Sequence, residues 1–592
     1  MSERPTPEAL RQTILEVVSR NGGHLASSLG AVELACALAQ VFDPARDRIL
    51  WDVGHQTYAW KLLTRRRTTF DTLRKLGGES PFQNPDESDA DPFVTGHAGN
   101  ALAAALGLAA ARDARGSDEQ VVAVVGDASL VNGETFEALN NCVTATKKVI
   151  LVVNDNAMSI DKSRGALARL LGRIITNVHY NRMKAAAEAA GHRLKLTFLR
   201  DGYHKVEQMV KSIWLGNEFF EELGLRYVGP VDGHNLRALE SALTVAKEYG
   251  RSIVVHVITK KGKGFAPAEA DPSAWHGVPP FDLAAPELHE SAHASWSDAF
   301  GASLLAAGRR DARICAVVAA MQHGTGLDPF ARAFPDRIYD MGICESCAVT
   351  FAAGLAKAGL RPVVAIYSSF LQRAFDQIMH DVCIQNLPVV FAVDRAGCVG
   401  PDGRTHHGMF DVPMLRCLPN LSVLQPRDAA ELDALLAAAL ARGGPVAIRW
   451  PRGTPPAGEA TKPVAWGTAE QLSAPEARVQ LWALGDQVPK ARQAADILAA
   501  QGVAAGVVDA RFVKPFDAAL LARQRAAGAF IASLENGAVA GGFGEAIGAD
   551  LRFGWPDAFV GHGTVEELER DFGFTAQDVA QRVAAALGKA GR

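Results

Sequence analysis

Short apolar runs alternate with Ala- and Leu-rich helical stretches along this chain, and this alternation constrains its fold more than any other feature. A run without polar residues at every second position is typical of a strand that is buried on both faces, as in parallel sheets covered by helices. We therefore predict an α/β fold with three doubly wound, mostly parallel-sheet domains. The predicted strands lie at 121–127, 148–155 and 252–260, in ICAVVAA, PVVAIYS, PVVFAVD, LSVLQP and PVAIRWP between 314 and 451, and at 479–486, 502–512 and 529–536.

Two segments rich in proline or glycine divide the chain into three parts. The first is HGVPPFDLAAPELHES at 276–291, and the second is PRGTPPAGEATKPVAWG at 451–467. Such segments are typical of linkers, and 592 residues exceed what one hydrophobic core normally organises. The predicted domains are 1–285, 290–455 and 468–592.

The stretch from about 161 to 225 departs from this alternation. It carries a basic segment, HYNRMKAAAEAAGHRLK, and weak helical patterns without a clear strand. We predict a helical excursion there, lying over the active site or over a dimer surface.

Charge and composition exclude several classes of protein. The formal net charge of −4 offers no general attraction to nucleic acid or to an anionic membrane surface. The N-terminal residues are polar and then amphipathic, unlike a signal peptide, and no run approaches the roughly 18 apolar residues of a membrane span. Eight scattered cysteines show no disulfide framework. These features indicate a cytoplasmic enzyme.

Two polar side chains that follow neighbouring predicted strands are candidate metal ligands. Asp127 ends the run VVAVVGD, and Asn156 follows the run KVILVVND. The carboxyl ends of parallel strands meet at one edge of a sheet, and carboxylate and amide oxygens suit a hard cation such as Mg²⁺. Taken singly, each stretch also fits an ordinary turn that closes a strand. Taken together, the pair resembles the signature by which thiamine-diphosphate enzymes bind their cofactor.

Longer motifs narrow this resemblance to one family. Together with Asp127 and Asn156, they make the chain similar over nearly its whole length to the 1-deoxy-D-xylulose-5-phosphate synthase family. The blocks at 219–236 and 393–411 separate that family from ordinary transketolases. The motifs are GGHLASSLGAVELACAL (22–38), WDVGHQTYAWKLLT (51–64), FFEELGLRYVGPVDGHNL (219–236), KKGKGFAPAEADPSAWHGVPPFD (260–282), AVTFAAGLAKAGLRPVVAIYSSFLQRAFDQIMHDV (348–382), VDRAGCVGPDGRTHHGMFD (393–411) and IRWPRG (448–453).

The resemblance implies both an architecture and a reaction. The three domains would be of transketolase-like type: a diphosphate- and Mg²⁺-binding domain, a pyrimidine-binding domain and a C-terminal domain. The implied enzyme is a homodimer that joins pyruvate to D-glyceraldehyde 3-phosphate, releases CO₂ and forms 1-deoxy-D-xylulose 5-phosphate. That reaction opens the non-mevalonate isoprenoid pathway and supplies precursors of thiamine and pyridoxal. Thiamine diphosphate and Mg²⁺ are the implied cofactors.

The family correspondence carries cofactor-binding roles onto particular residues. Mg²⁺ is implied to bind Asp127, Asn156 and the main-chain carbonyl of Met158. Lys261 would meet the diphosphate as a point charge, and Phe370 would stack on the aminopyrimidine ring. The full set of implied cofactor positions is His55, His97, Asp127, Ala128, Asn156, Lys261, Glu345 and Phe370.

The stretch MGICESCAVTFAAG at 341–354 contains an acid inside a C-x-x-C pair. The resemblance implies that Glu345 is the acid that activates the cofactor, by sharing a proton with the aminopyrimidine ring nitrogen. A zinc site is disfavoured because no second C-x-x-C or spaced histidine pair accompanies Cys344 and Cys347. A redox role is disfavoured because the thioredoxin-like setting, a C-x-x-C that opens a helix after the first strand, is missing.

The same correspondence implies the residues that handle the substrates. Proton transfers near neutral pH favour histidine, and His24, His276 and His406 fall on the family positions for catalysis. The acceptor phosphate calls for guanidinium groups, whose planar fork matches phosphate oxygens. The implied substrate-binding residues are Tyr367, Arg373, Arg395, Asp402, His406 and Arg452.

Three short stretches depart from the family pattern. Ala128 stands where the cofactor signature normally has glycine. Residues 98–100 replace the usual hydroxyl side chains with Ala-Gly-Asn. Backbone N–H groups of this turn, at the start of the following helix, are candidate replacements for the lost contact with the diphosphate, and we expect weaker or rearranged contacts with the cofactor there. Ser346 and Cys347 stand where the family usually has Gln-His.

Two alternatives remain open. One is a paralogous thiamine-diphosphate enzyme of transketolase type with a different acceptor, although the intact set of acceptor residues argues against it. The other is an inactive regulatory homologue or a C-x-x-C redox protein. The joint presence of Glu345, Asp127 and Asn156 argues against this second alternative, because an inactive copy has no reason to keep both ends of the cofactor site.

Overall fold

The structure is a computed structural model in which the chain forms two compact units. The first unit comprises Met1–Leu73 and Gly78–Leu288, and the second comprises Arg74–Gly77 and His289–Arg592. The helical excursion predicted at 161–225 lies outside the described residues, apart from residue 166 and residues 218–225. The structure describes residues 4–64, 66–156, 158, 166, 218–288, 293–458 and 464–590.

The first unit is built on a five-stranded parallel sheet and a small antiparallel pair. Its strands are β1 Gly23–His24, β2 Arg48–Trp51, β3 Val121–Gly126, β4 Ile150–Asp155, β5 Arg226–Asp232, β6 Ile253–Ile258 and β7 Gly277–Val278. The main sheet has the order β2-β3-β4-β6-β5, and all its neighbouring strands run parallel. β1 pairs antiparallel with β7. Its α-helices are Pro7–Asn21, Leu25–Gly30, Val32–Val41, Tyr58–Leu63, Asn100–Arg115, Gly133–Asn141, Glu218–Glu222, Leu236–Glu248 and Ala266–Ala270.

Both faces of this sheet are buried under helices. In β3, Val122 and Val124 join a cluster that includes the helix Val32–Val41. Ala123, between them, joins a separate cluster that includes the helix Asn100–Arg115. Successive side chains of a strand point to opposite faces, so a strand covered on both sides must be apolar at every position. This requirement explains why the interior strands read as continuous apolar runs.

The second unit contains two further sheets. Its strands are β8 Ile314–Val318, β9 Ile338–Asp340, β10 Arg361–Tyr367, β11 Val390–Asp394, β12 Ser422–Leu424, β13 Val446–Arg449, β14 Glu470–Ser473, β15 Val479–Ala483, β16 Ala505–Asp509, β17 Phe512–Lys514, β18 Phe530–Ala538 and β19 Leu551–Trp555. Its α-helices are Trp296–Arg310, Asp328–Ala333, Glu345–Lys357, Ser368–Leu371, Phe375–Gln377, Asp411–Arg416, Ala429–Ala441, Val488–Ala500, Ala518–Ala526, Phe543–Ala546, Val565–Asp571 and Ala576–Ala590.

The two sheets of the second unit share one hydrophobic core. The larger has the order β17-β12-β13-β11-β10-β8-β9, and the smaller has the order β14-β16-β15-β18-β19. Only the edge pairs β12–β17 and β14–β16 are antiparallel in these two sheets. Val364 of β10 packs in the same cluster as Trp482 of β15 and Ile531 of β18. β17 also joins the larger sheet although it lies within the predicted third domain, so these two predicted domains are interlocked.

Each of the eleven apolar runs contains a strand, which confirms the predicted α/β fold with three mostly parallel sheets. Within the described residues, no helix combines the length and the apolar character needed to cross a membrane.

A fully buried arginine ties the two sheets of the second unit together. Arg449, at the end of β13, donates from Nε to Asp411 Oδ2 at 2.8 Å and from Nη2 to the main-chain oxygen of Asn536 in β18 at 2.8 Å. Its Nη1 donates to the Gln425 side chain. Since both partners of the ion pair are excluded from solvent, removing one leaves a buried charge without compensation.

We expect Arg449→Met to lower the free energy of unfolding by about 3–5 kcal/mol, because Asp411 would remain buried without its cation. Urea unfolding followed by circular dichroism measures the loss. The double variant Arg449→Met/Asp411→Leu removes both charges and should recover most of it. Arg313→Met is the control, since Arg313 pairs with Asp311 at the surface with 59% of its side chain exposed. Equal losses for Arg449→Met and Arg313→Met would contradict the prediction.

Candidate functional site

The predicted metal ligands meet at the carboxyl edge of the first sheet. β3 and β4 are parallel neighbours in which Gly126 lies opposite Asn154, so Asp127 and Asn156 follow adjacent strands. The Asn156 N–H donates to Asp127 Oδ1 at 3.4 Å, and the Met158 N–H donates to Asn156 Oδ1 at 3.2 Å. The side-chain oxygens of Asp127 and Asn156 and the main chain of Met158 are therefore joined by hydrogen bonds. This all-oxygen set fits the preference of Mg²⁺.

The alanine that departs from the cofactor signature is not strained. Ala128 lies in the short 3₁₀ helix Asp127–Val131 and is not among the residues with positive φ. Glycine is needed only where φ is positive. The substitution therefore leaves the backbone beside Asp127 undistorted.

The turn at residues 98–100 does not offer all of its N–H groups to a ligand. The buried carboxylate of Asp52 accepts from the Gly99 N–H at 2.9 and 3.0 Å and from the Ala101 N–H at 3.1 Å. The expectation that this turn replaces the missing hydroxyl contact is therefore wrong for Gly99 and Ala101. Asp52 occupies the N-terminus of the helix Asn100–Arg115, and its position at the end of the unpredicted strand β2 hid this role in the sequence.

Lys261 lies in a loop that a histidine holds in place. It follows β6 at the same edge of the sheet as Asp127 and is buried. Beside it, the Lys260 N–H donates to His234 Nε2 at 2.9 Å. His234 Nε2 is therefore the acceptor, and Nδ1 carries the proton toward Glu33 Oε2 at 3.1 Å. His234 lies in a recognised motif, but its partners are remote in sequence.

Three of the predicted histidines form a cluster in the first unit. The ring centroids of His24 and His276 are 5.8 Å apart, and those of His55 and His276 are 5.3 Å apart. Ser27 Oγ lies 3.3 Å from His276 Nδ1. Phe82 packs against His24 with a centroid separation of 5.3 Å. The three imidazoles thus lie near one another, with Ser27 and the Phe82 ring beside them. Imidazoles are suited to proton transfer.

The fourth predicted histidine of the first unit is His97. It is half-buried in the loop that leads to the helix Asn100–Arg115. His97 directly precedes the turn whose N–H groups donate to Asp52.

Glu345 is buried at the start of a helix in the second unit. It is the first residue of the helix Glu345–Lys357 and only 5% exposed. Burial raises the pKa of the Glu345 carboxyl, and the positive charge of Arg373 partly offsets that shift. A carboxyl in such surroundings favours its protonated form. It can therefore donate a hydrogen bond or share a proton with a ring nitrogen.

The C-x-x-C pair has a structural setting that the sequence did not reveal. Cys344 is the residue that caps the helix, Cys347 is its third residue, and the short strand β9 precedes them. The motif therefore opens a helix after a short strand, but that strand is the second of its unit and not the first. The eight cysteines all lie in the described part of the chain, where no disulfide joins any two of them.

A second group of predicted residues surrounds the ring of Tyr367 at the end of β10. Phe370 stacks on Tyr367 with centroids 5.7 Å apart, and His406 lies edge-on to Phe370 at 5.6 Å. The Arg395 guanidinium lies 4.1 Å from the centroid of the Tyr367 ring. Arg395 follows β11 with a φ of +55°, a left-handed conformation that is uncommon for a residue with a side chain.

Asp402 connects two arginines in the same unit. Its carboxylate pairs with Arg74 at 2.7 Å and with Arg452 at 3.6 Å. Partial burial, followed by the charge of Arg395, lowers the pKa of Arg452, while Asp402 raises it. The three arginines therefore lie close enough to act on one another. Arg74 was not predicted, since it lies far from the other residues in sequence and no recognised motif contains it.

Another cluster of acidic residues in the second unit is paired with arginines. Carboxylate oxygens of Glu431, Glu470 and Asp509 lie within 4.8 Å of one another. Arg427 pairs with Asp509 and Glu470 at 2.8 Å, and Arg511 pairs with Glu431 at 2.6 Å. Two guanidinium groups against three carboxylates make this a buried ion-pair network. It does not compete with the strand ends of the first sheet as a metal site.

Each unit therefore assembles its own chemistry. The first combines oxygen ligands for a hard cation with a buried lysine and clustered histidines, which suits a metal diphosphate. The second combines a buried acid whose pKa is raised with an aromatic ring stack and three arginines, which suits a planar heterocycle and a phosphorylated substrate.

Comparison with known proteins supports an assignment to one family. The family described as 1-deoxy-D-xylulose-5-phosphate synthase matches residues 4–259. The pyrimidine-binding domain of transketolase matches residues 292–456, and the transketolase C-terminal domain matches residues 467–579. A solved transketolase from Leishmania mexicana is 18% identical and covers 98% of this chain and 97% of that one, with a TM-score of 0.45.

Two relatives are similar over nearly the whole chain. A 1-deoxy-D-xylulose-5-phosphate synthase from Desulforudis audaxviator is 45% identical over 97% of this chain and 93% of that protein. One from Thermomicrobium roseum is 46% identical over 99% of this chain and 95% of that protein. The chain thus belongs to the 1-deoxy-D-xylulose-5-phosphate synthase family of transketolase-like, thiamine-diphosphate-dependent transferases.

Proposed function

We propose that this protein condenses pyruvate with D-glyceraldehyde 3-phosphate to give 1-deoxy-D-xylulose 5-phosphate and CO₂. The observation that carries the proposal is the grouping of Arg74, Arg395 and Arg452 around Asp402 and the Tyr367 ring. Guanidinium groups bind phosphate oxygens in a bidentate manner, and Asp402 can accept a hydrogen bond from a substrate hydroxyl. A phosphorylated hydroxyaldehyde meets both requirements.

The cofactor side of the proposal rests on the first unit. Asp127, Asn156 and the carbonyl of Met158 would hold Mg²⁺, and the buried ammonium of Lys261 would bind the diphosphate. His55 and His97 would line the same site. When bound, thiamine diphosphate supplies the carbon nucleophile and the electron sink.

Glu345 would set the protonation state of the aminopyrimidine ring. Burial raises the pKa of its carboxyl, which favours a proton shared between Glu345 and a ring nitrogen. Phe370 would stack on that ring, and Tyr367 supports Phe370 from the other side at 5.7 Å between centroids. Arg373 would bind substrate and act on Glu345 through its charge.

Histidines would move protons during the condensation. His24 and His276 lie within one cluster in the first unit, and His406 lies beside Phe370 in the second. Thr405 Oγ1 lies 2.9 Å from His406 Nδ1. This hydrogen bond orients the His406 ring. Imidazole is the side chain whose ordinary pKa lets it both accept and donate a proton near neutral pH.

The family resemblance also supports a homodimer that works in the cytoplasm. By the same resemblance, the product would feed isoprenoid, thiamine and pyridoxal synthesis. Nucleic acid and membranes play no part in the proposed reaction.

The direct test is an assay of the purified protein with thiamine diphosphate, Mg²⁺ and pyruvate, with and without D-glyceraldehyde 3-phosphate. We expect CO₂ release to rise when the aldehyde is present and mass spectrometry to detect deoxyxylulose phosphate. Cofactor binding without that product would overturn the proposal. It would favour a paralogous enzyme of transketolase type with another acceptor, which a panel of aldehydes would then identify.

We expect Glu345→Gln to lower kcat by about a hundredfold or more, the usual size of a lost acid–base contribution, while Mg²⁺ binding and the circular dichroism spectrum stay unchanged. Glu476→Gln is the matched control, because Glu476 is exposed. If Glu345→Gln keeps most of its activity, another group activates the cofactor.

The same variant has a readout that needs no turnover. Burial raises the pKa of Glu345 above its ordinary 4.5, so the folded protein holds this proton more tightly than the unfolded chain does. As the pH rises above that ordinary value, the unfolded chain gains by ionising and the free energy of unfolding falls. Without added cofactor, wild type should therefore lose stability relative to Glu345→Gln as the pH rises. Parallel pH profiles for the two proteins would contradict this assignment.

We expect Arg452→Ala to raise KM for D-glyceraldehyde 3-phosphate by about tenfold or more, the usual value of one charged hydrogen bond. The Arg452 side chain is 46% exposed. Water therefore screens part of its charge, and we expect the rise in KM to be about tenfold. KM for unphosphorylated D-glyceraldehyde should not change. A similar rise for both aldehydes would show that Arg452 does not bind the phosphate. Arg313→Ala, on the exposed Arg313–Asp311 pair, is the control.

A further inference from the structure

Cys344 and Cys347 occupy the two positions at a helix start where side chains meet. Cys344 caps the helix Glu345–Lys357, and Cys347 is its third residue. The Ala348 N–H donates to the Cys344 carbonyl at 2.9 Å, so the first helical turn is closed. Cys347 is exposed and Cys344 is half-buried. An oxidant can therefore reach the Cys347 sulfur more readily than the Cys344 sulfur.

At two other helices of this protein, the side chains of the capping residue and of the third helical residue are hydrogen-bonded. Ser295 caps the helix Trp296–Arg310, and its Oγ lies 2.7 Å from the carboxylate of Asp298, the third helical residue. Thr575 and Asp578 repeat the arrangement at 2.5 Å. Capping residues and third residues thus reach one another, as expected for this geometry.

Helix geometry agrees with these internal examples. Across three helical residues, a rise of about 4.5 Å and a lateral step of about 2.3 Å separate the Cα atoms by about 5 Å, which is within the roughly 7 Å that a disulfide can bridge. The pair also interacts electrostatically. Burial, followed by the charges of Glu345 and Cys347, raises the pKa of the Cys344 thiol to about 12.

We propose that Cys344 and Cys347 form a reversible disulfide when a hydroperoxide oxidises Cys347, and that this disulfide slows the enzyme by displacing Glu345. The consequence for catalysis rests on the function proposed above. The disulfide itself does not.

The chemistry balances in two steps. Peroxide transfers one oxygen to the Cys347 sulfur, giving a sulfenic acid and one water. The Cys344 sulfur then attacks the Cys347 sulfur. The S–O bond breaks, and the departing hydroxide takes the Cys344 proton as a second water. Two thiols are oxidised and one peroxide is reduced. A dithiol reverses the reaction by two exchanges through a mixed disulfide.

The disulfide would act on the acid because Glu345 lies inside the loop that it closes. Glu345 directly follows Cys344, whose N–H is held by the Gly342 carbonyl at 2.7 Å. Bringing the sulfurs to bonding distance, about 2.05 Å, pulls on the helical turn that carries the carboxyl. Misplacement of a catalytic group by about 1 Å can cost up to a hundredfold in rate. We expect a loss of about tenfold or more.

The other cysteines leave one useful control. Cys36, Cys142, Cys315, Cys383 and Cys398 are buried. Cys417 is exposed, like Cys347, and its Sγ donates to the nearby main-chain oxygen of Met414 at 3.1 Å. Cys417→Ser therefore removes an accessible thiol without touching the pair.

The test treats the full-length protein, loaded with thiamine diphosphate and Mg²⁺, with one equivalent of hydrogen peroxide and then blocks remaining thiols. Peptide mass spectrometry without reductant should find residues 344 and 347 joined, with two hydrogens lost. Activity should fall by about tenfold or more, and dithiothreitol should restore it. Cys344→Ser and Cys347→Ser should keep their activity under peroxide, whereas Cys417→Ser should behave like wild type.

Two results would overturn the proposal. One is the absence of the 344–347 disulfide at peroxide concentrations that oxidise Cys417. The other is an equal peroxide-dependent loss of activity in Cys347→Ser. Failure of the proposed function is separately visible, because the reduced wild type would then make no deoxyxylulose phosphate while the mass measurement still reports on the disulfide.

Discussion

Parallel pairing of buried strands is the constraint on which the candidate site depends. Because neighbouring strands of such a sheet point the same way, the residues that follow them gather at one edge. In the first sheet, Asp127 follows β3 and Asn156 follows β4. In the seven-stranded sheet, Tyr367 ends β10 and Arg395 follows β11. Residues far apart in the chain thus meet without long loops, and this is why polar groups can crowd where the apolar runs stop.

Gathering polar groups in this way has an energetic cost that the protein bears locally. Burial raises the pKa of the Asp394 carboxyl, even though Ser297 donates to it at 2.6 Å and the Arg395 N–H donates at 2.7 Å. Arg395 adopts a positive φ to place its guanidinium over Tyr367. Strained backbone and destabilised charge at one strand end are typical of sites kept for function rather than for stability.

The sequence predicted interior strands well and edge strands poorly, for one physical reason. An interior strand must be apolar on both faces, so it appears as an unbroken apolar run. An edge strand is released from that requirement. β5 reads RYVGPVD, with a proline and a register shift against β6, and β14 reads EQLS. The edge strands of the three larger sheets, β2, β5, β9, β14, β17 and β19, are strands for which no full run was visible.

The same limit decides which parts of the site were visible in the sequence. Motifs identified Glu345, Arg395 and Asp402, because local sequence carries the resemblance. Arg74 and Asp52 were missed, since each acts through a partner remote in the chain. The C-x-x-C pair shows how an undetected edge strand changes a chemical interpretation. β9 has three residues, so the strand-to-helix turn that places Cys344 at the helix cap and exposes Cys347 left no trace in the apolar pattern. Once that turn is known, a catalytic role for Glu345 and a redox role for the two cysteines no longer exclude each other in residues 341–354. Glu345 lies inside the loop that a disulfide between Cys344 and Cys347 would close.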